Sequence, residues 1–264
     1  MKRVWMLVLL LVSGTSQSLF GITFSQLALG GSPEHYECTI LISNMSEGVW
    51  YGKMKALKGD NENWTVRWVS GDTELDTSAV QFDLAPQGTM KVTVKSIDGS
   101  LDSGYLQIMD RIVIGQPSSS TSTTDLAVGY FYNLLDQSGN IVDSISVPRS
   151  FSDVEHMLPV EYVPDKVNTA FAWSPSSAAV DEQFSLHFEL MDPQGEVVAT
   201  TDVPYQGQAA KFVSDLFPDV AQSGAFLGRL RITTGGIDIY TTALRLMYTT
   251  TGFQLTGTPP DRPF

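Results

Sequence analysis

The densest grouping of side chains able to do chemistry lies between residues 64 and 77. Trp64, Val66 and Trp68 alternate along a short stretch, and Glu74 and Asp76 follow in the same segment. Exposed indole rings could stack on a sugar or a protein, and a carboxylate pair could hydrolyse a glycoside. The favoured interpretation is that the tryptophan face covers a core, because tryptophan buries a large area. The four candidate binding residues are Trp64, Trp68, Glu74 and Asp76.

Other catalytic patterns are missing from the chain. The three histidines, His35, His156 and His187, are too widely separated to form a zinc or copper motif. His187 falls on the outward face of its predicted strand, where a solvated role is expected. The G-x-S-x-G, P-loop and G-x-G-x-x-G motifs are absent. We therefore expect no catalytic residue, no metal and no cofactor, and we expect that the protein is not an enzyme.

The single cysteine is expected to be structural. Cys38 alternates with polar residues in the same phase as Ile40 and Ile42, which predicts a buried thiol on the apolar face of a strand. With one cysteine the chain cannot form an intramolecular disulfide. The fold must therefore be held together by its hydrophobic core.

Short runs of strand-forming residues dominate the sequence. The stretch 184–190 alternates apolar and polar residues and is followed by the turn signal Asp192-Pro193-Gln194-Gly195. Residues 136–139, Asp-Gln-Ser-Gly, form a similar signal between two strand-like runs. No long segment has helical periodicity, although Ser214 to Phe217 is compatible with a helical turn that Pro218 ends. The sequence predicts an all-β protein.

An internal repeat divides the chain into two copies. The order of strand-like segments agrees over roughly 100 residues although few residues are identical. The first copy carries insertions at 64–77 and 117–124. The predicted organisation is a signal peptide at 1–18, a first β-sandwich at 19–152 and a second at 153–264. The matching segments are 36–43 with 166–173, 50–57 with 184–191, 83–88 with 202–207, 90–94 with 210–213, and 104–108 with 228–232.

These segments resemble the tandem immunoglobulin-like β-sandwich modules of exported bacterial proteins of unassigned role. The resemblance rests on the opening strand 24–28, the strand ends Ser43-Asn44 and Ser174-Pro175, the Gln-Gly turns, and the Ser-Asp-Leu-Phe-Pro segment at 214–218. The first copy lacks that last segment and is the more diverged. The resemblance implies two antiparallel immunoglobulin-like sandwiches and no particular activity.

The first eighteen residues have the pattern of a secretory signal peptide. Lys2 and Arg3 precede an apolar run over residues 4–12, and small polar residues follow. Nine apolar residues are too few for a membrane-spanning helix, which needs about 20. The expected location is therefore secreted, periplasmic or cell-surface, with no integral membrane segment in the mature chain.

Composition narrows the choice of partners. The chain has 16 Lys+Arg against 29 Asp+Glu, a net charge of −13, and such a surface repels nucleic acid. The leading hypothesis is a non-enzymatic secreted or cell-envelope binding or structural module whose partner is an envelope protein or a glycan. The alternative is a carbohydrate-active or carbohydrate-binding protein that uses the Trp64/Trp68 region. A spacer without a ligand is the third possibility.

Overall fold

The computed structural model describes residues 21–31, 35–59, 61–110, 125–176, 184–249 and 252–258. The predicted signal peptide at 1–18 and the predicted loop at 117–124 lie outside these residues. Among the described residues, neither of the two short helices has the length or the apolar character to cross a bilayer.

Twenty strands and two short helices make up the described chain. The first half contains β1 (Ile22–Leu29), β2 (His35–Asn44), β3 (Trp50–Lys58), β4 (Glu62–Asn63), β5 (Val66–Ser70), β6 (Thr73–Thr77), β7 (Ala79–Leu84), β8 (Thr89–Lys95), β9 (Asp102–Asp110), β10 (Leu126–Leu135) and β11 (Ile141–Ser146). The second half contains β12 (Phe151–Asp153), β13 (Glu155–Tyr162), β14 (Val167–Pro175), β15 (Ser185–Met191), β16 (Val197–Pro204), β17 (Ala209–Phe212), α1 (Val213–Leu216), α2 (Pro218–Ser223), β18 (Phe226–Thr233), β19 (Ile239–Thr249) and β20 (Gly252–Thr258).

The strands form four antiparallel sheets, two in each half. Sheet 1 has the order β1-β9-β3, with β4 and β7 both pairing with β3, and sheet 2 has the order β11-β10-β2-β8-β5-β6. Sheet 3 has the order β19-β14-β17, with β12 and β20 both pairing with β19. Sheet 4 has the order β13-β18-β15-β16. The expectation of an all-β protein is confirmed.

Strand order repeats between the two halves. The series β1-β9-β3-β7 of sheet 1 corresponds to β13-β18-β15-β16 of sheet 4, and β11-β10-β2-β8 of sheet 2 corresponds to β20-β19-β14-β17 of sheet 3. Every pair of segments matched in the sequence occupies corresponding strands or turns. Strands β4, β5 and β6 have no counterpart in the second half; β5 and β6 lie within the predicted insertion at 64–77, and β4 immediately precedes it.

Each half encloses its own hydrophobic core between two sheets. In the first half, Phe24 and Trp50 of sheet 1 face Ile40 and Tyr130 of sheet 2. In the second half, residues such as Trp173 of sheet 3 pack in one cluster with residues of sheet 4. Both halves are therefore sandwich-like, since alternate residues of two sheets interdigitate.

The predicted structural role of Cys38 is confirmed. Its side chain is completely buried beside Ile40 and Ile42, and the Tyr130 hydroxyl lies 3.3 Å from its sulfur. Burial raises the pKa of the Cys38 thiol far above its usual value. A thiol that stays protonated is a poor nucleophile.

Both predicted hairpin turns are present. The amide of Gly139 donates to the carbonyl of Asp136, and the amide of Gly195 donates to the carbonyl of Asp192, each at 3.0 Å. Gly139 and Gly195 have φ values of +80° and +88°, a region that glycine enters without steric cost. The turns join β10 to β11 and β15 to β16.

Two connecting segments contain more regular structure than the sequence indicates. The expected helical turn is α1, which ends before Pro218, and Pro218 then begins a second helix, α2, because proline lacks only an amide that the first helical position leaves unbonded. The polar stretch around the predicted boundary at 152 and 153 is the short strand β12, which pairs with residues Ile239–Thr241 of β19. Its polar side chains are tolerated because Ser152 and Asp153 are exposed.

Sheet 3 is buried on both faces, and this brings the two halves together. Phe171 and Trp173 face the core of the second half, whereas the alternate residue Ala172 faces the first half. On the neighbouring strand, Ala243 faces inward and Leu244 joins the core cluster of the first half. Strand β1 lies against β14 and β19 in this contact.

A cluster of buried hydroxyl groups lies in the same contact. The Ser25 hydroxyl donates to the Ser150 hydroxyl at 2.8 Å, and the Ser174 hydroxyl donates to Ser25 at 3.3 Å. Ser150 is also hydrogen-bonded to Thr242. All four residues are at most 5% exposed. Hydrogen bonds are directional, and here they replace part of the apolar packing. The cluster therefore fixes the position of β1 against sheet 3.

Asn44, at the end of β2, holds three chain segments together. Its Nδ2 lies 2.7 Å from the Gly48 carbonyl, 3.2 Å from that of Leu84 and 3.1 Å from that of Ala85. Its Oδ1 accepts from the Ser46 amide and hydroxyl. The side chain is 1% exposed, so water cannot replace these bonds.

Replacing Asn44 should be costly to stability. We predict that Asn44→Ala lowers the free energy of unfolding by about 2–3 kcal/mol, since buried carbonyl groups lose their donor. Urea unfolding followed by tryptophan fluorescence measures this. Ser43→Ala is the matched control, because the neighbouring Ser43–Thr89 hydrogen bond is exposed and its loss should cost little. Equal effects of the two substitutions would contradict the prediction.

Candidate functional site

The two predicted binding tryptophans lie in the core of the first half. Trp64 is 8% exposed and Trp68 is 3% exposed, and both belong to the same core cluster as Val66. The Trp68 indole N–H donates to the Thr77 carbonyl at 2.8 Å. The Lys58 ammonium lies 5.6 Å from the Trp64 ring centroid. The favoured interpretation, a tryptophan face that covers the core, is confirmed.

The two predicted acidic residues lie on the other side of the same hairpin. Glu74 and Asp76 belong to β6, whose first four residues are exposed. Asp76 forms a two-pronged ion pair with Arg67 on β5, at 2.8 and 2.9 Å. Hydrogen bonding to Arg67 lowers the pKa of Asp76 and raises that of Arg67. Asp76 is therefore an ionised surface carboxylate with a local partner.

The structure does not bring the four predicted residues together into one site. The indole rings point into the sandwich, whereas Glu74 and Asp76 point toward solvent across the pleat of the hairpin. The alternative of an exposed pair of indoles that stacks on a sugar does not fit this burial, because neither ring offers a free face of useful size. What remains accessible is the acidic strand β6 with exposed Leu75.

The tryptophans should therefore matter for stability. We predict that Trp68→Ala lowers the free energy of unfolding by about 3–5 kcal/mol, the usual cost of truncating a buried aromatic residue. Glu74→Gln should change it by less than about 0.5 kcal/mol, because the side chain is 60% exposed. Urea titrations of both variants test this, and a small effect of Trp68→Ala would contradict the burial.

A large cleft lies between the two halves. It has a volume of about 780 Å³, within the usual range of ligand pockets. One wall is the outer face of sheet 3, with Ala170, Phe212 and Leu246. The opposite wall comes from the first half and includes Gln26 and Tyr132. Most of the lining is apolar.

Two polar atoms in the lining of this cleft lack close hydrogen-bond partners among the described residues. Gln26 Oε1 and the Tyr132 hydroxyl are buried, and neither makes a hydrogen bond within 3.5 Å to a described residue. Burial raises the pKa of the Tyr132 hydroxyl well above its ordinary value, although the nearby Tyr130 hydroxyl and Ala28 backbone oppose the shift, so the hydroxyl stays protonated. Buried polar groups without partners are uncommon in folded proteins.

Charged side chains are confined to the rim of the cleft. Lys211 and Asp215 are exposed, and Asp102 forms an ion pair with Lys58 at 2.7 Å. The interior of the cleft thus presents apolar surface with a few neutral polar groups.

The sequence contained an indirect signal for this cleft. Strands β14 and β19 carry apolar or small residues in both phases of the alternation, which is typical of a sheet covered on both faces. This pattern indicates that another part of the protein packs against the outer face of sheet 3. It does not show which strand packs there, since Gln26 and Tyr132 come from strands far away in the sequence.

His156 is a buried histidine held by three hydrogen bonds. Its Nε2 lies 3.0 Å from the carbonyls of Asp153 and Ile239, and its Nδ1 lies 2.9 Å from the Thr241 hydroxyl. Carbonyls only accept, so Nε2 carries the proton and Nδ1 accepts from Thr241. Burial lowers the pKa of His156, although the carbonyls and the nearby charges of Asp153 and Asp238 oppose the shift.

His187 is a surface residue, as its strand phase predicts. Its Nδ1 lies 2.7 Å from an Asp202 carboxylate oxygen, and its side chain is 41% exposed. The described residues contain no group of three or more His, Cys, Asp or Glu side chains arranged to hold a metal ion.

His156 should make stability depend on pH. Its folded pKa is lower than the unfolded value of about 6.5. Neutral His156 therefore contributes full stability above about pH 6.5, and the contribution falls as the pH drops toward the folded pKa. We predict that wild type loses more stability than His156→Gln between pH 7.5 and pH 5. Urea unfolding of both proteins at both pH values measures the difference. Subtracting the change in the variant from the change in wild type removes the effect of the carboxylates that titrate in both proteins. Parallel losses would contradict the prediction.

The fold and these sites define an all-β protein with sandwich-like sheets, a strand order that repeats between its halves and a cleft between them. Compared with known proteins, the chain matches no family model and no curated protein. Its function therefore has to be argued from its own residues.

Proposed function

We propose that this protein is an exported, non-enzymatic binding module whose partner is a protein of the cell envelope. The partner docks on the edge strand β6. The observation that carries this proposal is the position of β6 at the end of the six-stranded sheet 2, where it pairs only with β5 among the described strands. An edge strand offers backbone groups to which a partner strand can add.

The side chains of β6 suit a binding surface. Leu75 is 52% exposed in the middle of the strand and projects from one face, while Glu74 and Asp76 project from the other. A partner strand that adds to β6 is therefore favoured by an apolar residue opposite Leu75 and basic residues opposite the two carboxylates. The net charge of −13 extends this preference over the whole surface and speeds the approach of a basic partner.

The hairpin is a suitable platform because its inner side is rigid. Trp68 anchors β5 in the core, and Gly71, with φ +57°, forms a tight turn to β6. Gly at the first position of a two-residue turn is typical of a type II′ hairpin. The Arg67–Asp76 ion pair further orders the exposed face.

The immunoglobulin-like character of each half belongs to the same proposal. With the insertion strands set aside, the second strand pairs with the fifth and the third with the sixth in both halves, as in immunoglobulin sandwiches. The first strand differs, because β1 and β13 pair with the sixth strand of their halves instead of joining the second. Each half is thus an immunoglobulin-like sandwich with its first and seventh strands exchanged between sheets.

Export rests on the sequence of the first eighteen residues. A basic start, nine apolar residues and a small-residue stretch predict cleavage and release from the membrane. In a secreted, periplasmic or cell-surface location the protein would meet envelope proteins, one of which is the proposed partner. The glycan alternative has lost its main support, because Trp64 and Trp68 are buried.

The test is a pull-down from an envelope extract of the cells that export the protein. We predict that immobilised mature protein retains a specific partner and that Leu75→Lys releases it, because a charge replaces the apolar centre of β6. Quantitative mass spectrometry of the retained proteins measures the effect, with at least a tenfold loss expected for the specific partner.

The matched control is Val198→Lys on β16, an edge strand of sheet 4. Val198 is 47% exposed, close to the 52% of Leu75, so both substitutions change a similar surface. The control should retain the partner. Deleting residues 64–77 would be a poor test, since it removes two core tryptophans. Equal retention by wild type and Leu75→Lys would refute docking on β6.

A further inference from the structure

We propose that the cleft between the two halves is a binding site for a neutral amphiphilic small molecule, one with an apolar body and a hydroxyl or N–H group. This goes beyond the proposed docking on β6 and does not depend on it. The two sites share no residue.

The cleft exists because the residues that face it on sheet 3 are small. Ala170 on β14 is a direct neighbour of Phe212 on β17, and Ala172 is a direct neighbour of Ala210. Three alanines on adjacent strands leave a hollow where larger side chains would fill the contact. Their methyl groups, with Leu244 and Leu246, form a continuous apolar wall. Binding of an apolar ligand to this wall is favourable because the ligand displaces water from apolar surface.

The opposite wall supplies the hydrogen-bonding groups. The Tyr132 hydroxyl sits in a residue that is only 4% exposed, and Gln26 Oε1 is likewise buried without a partner among the described residues. A carboxamide oxygen only accepts, and a phenol can donate or accept. A ligand hydroxyl can donate to Gln26 Oε1 and accept from Tyr132, and a ligand N–H can donate to either of the two oxygens. Buried polar atoms that stay unsatisfied are unfavourable in the free protein.

Charge restricts the ligand to neutral molecules. No charged group lies on the apolar wall or beside Tyr132 in the lining, and the charges of Lys211, Asp215 and Asp102 stand at the exposed rim. A buried ligand charge would find no partner inside. The acidic surface, with a net charge of −13, also repels anionic amphiphiles such as fatty acids.

The probe for this site is N-phenyl-1-naphthylamine, a neutral aromatic amine with a single N–H group whose fluorescence rises in apolar surroundings. We expect saturable binding at one site per chain of the mature protein. Fluorescence titration measures the affinity, and thermal unfolding in the same buffer shows that the protein is folded. Folded protein without saturable binding would overturn the proposal.

A blocking variant locates the site. Ala210→Trp places a large ring over the apolar wall from an exposed position of β17 and should weaken binding at least tenfold. Ala127→Trp on β10 is the matched control, since Ala127 is also an exposed strand residue but does not line the cleft. Unchanged binding by Ala210→Trp, or equal weakening by both variants, would refute the cleft as the site.

A second variant tests the hydrogen-bonding wall. Tyr132→Phe removes a hydroxyl that makes no hydrogen bond within 3.5 Å to a described residue, so the unfolding temperature of the free protein should not fall. Affinity for the probe should fall about two- to tenfold, the effect of one hydrogen bond. A loss of stability with unchanged affinity would show that the hydroxyl serves the fold and not a ligand.

Discussion

The burial of sheet 3 on both faces is the constraint on which the rest of the structure depends. A sheet with two apolar faces cannot remain half-covered in water, so Phe171 and Ala172, which alternate on β14, require two different partners. Sheet 4 covers one face, and β1 of the first half covers the other. The hydroxyl cluster around Ser25 fixes this second cover in position, and the incomplete fit beside it leaves the cleft. The contact between the halves and the open cleft thus have one origin.

Much of the fold could be predicted from sequence because it depends on local signals. Alternation placed Cys38 and Leu186 in cores, and the Asp-x-x-Gly turns fixed two hairpins, since turn chemistry acts over four residues. The repeat predicted that the two halves share one succession of strands along the chain, and their strand orders within the sheets do correspond. Local signals failed where an element depends on distant pairing. Strand β12 looks like a polar linker and becomes a strand only because β19 offers it an edge.

The candidate site was harder to predict for a related reason. The alternating pattern predicted that Trp64 and Trp68 lie on the same face of their strand. The pattern alone does not tell which of the two faces meets the core. The cleft was beyond reach, because Gln26 and Leu246 meet only through the packing of one half on the other. Sequence patterns describe what a strand needs on its two faces. They do not identify the chain segment that meets the need.

Sheet 2 corresponds to sheet 3 in strand order, yet its outer face is different. Leu41 on that face is 38% exposed, and its neighbours include Thr39 and Lys91. A contact in which the edge of one copy rests on the sheet of the next is head-to-tail, and in principle it repeats without limit. Sheet 2 presents Thr39 and Lys91 on this face, so an equivalent contact there would have to bury polar groups.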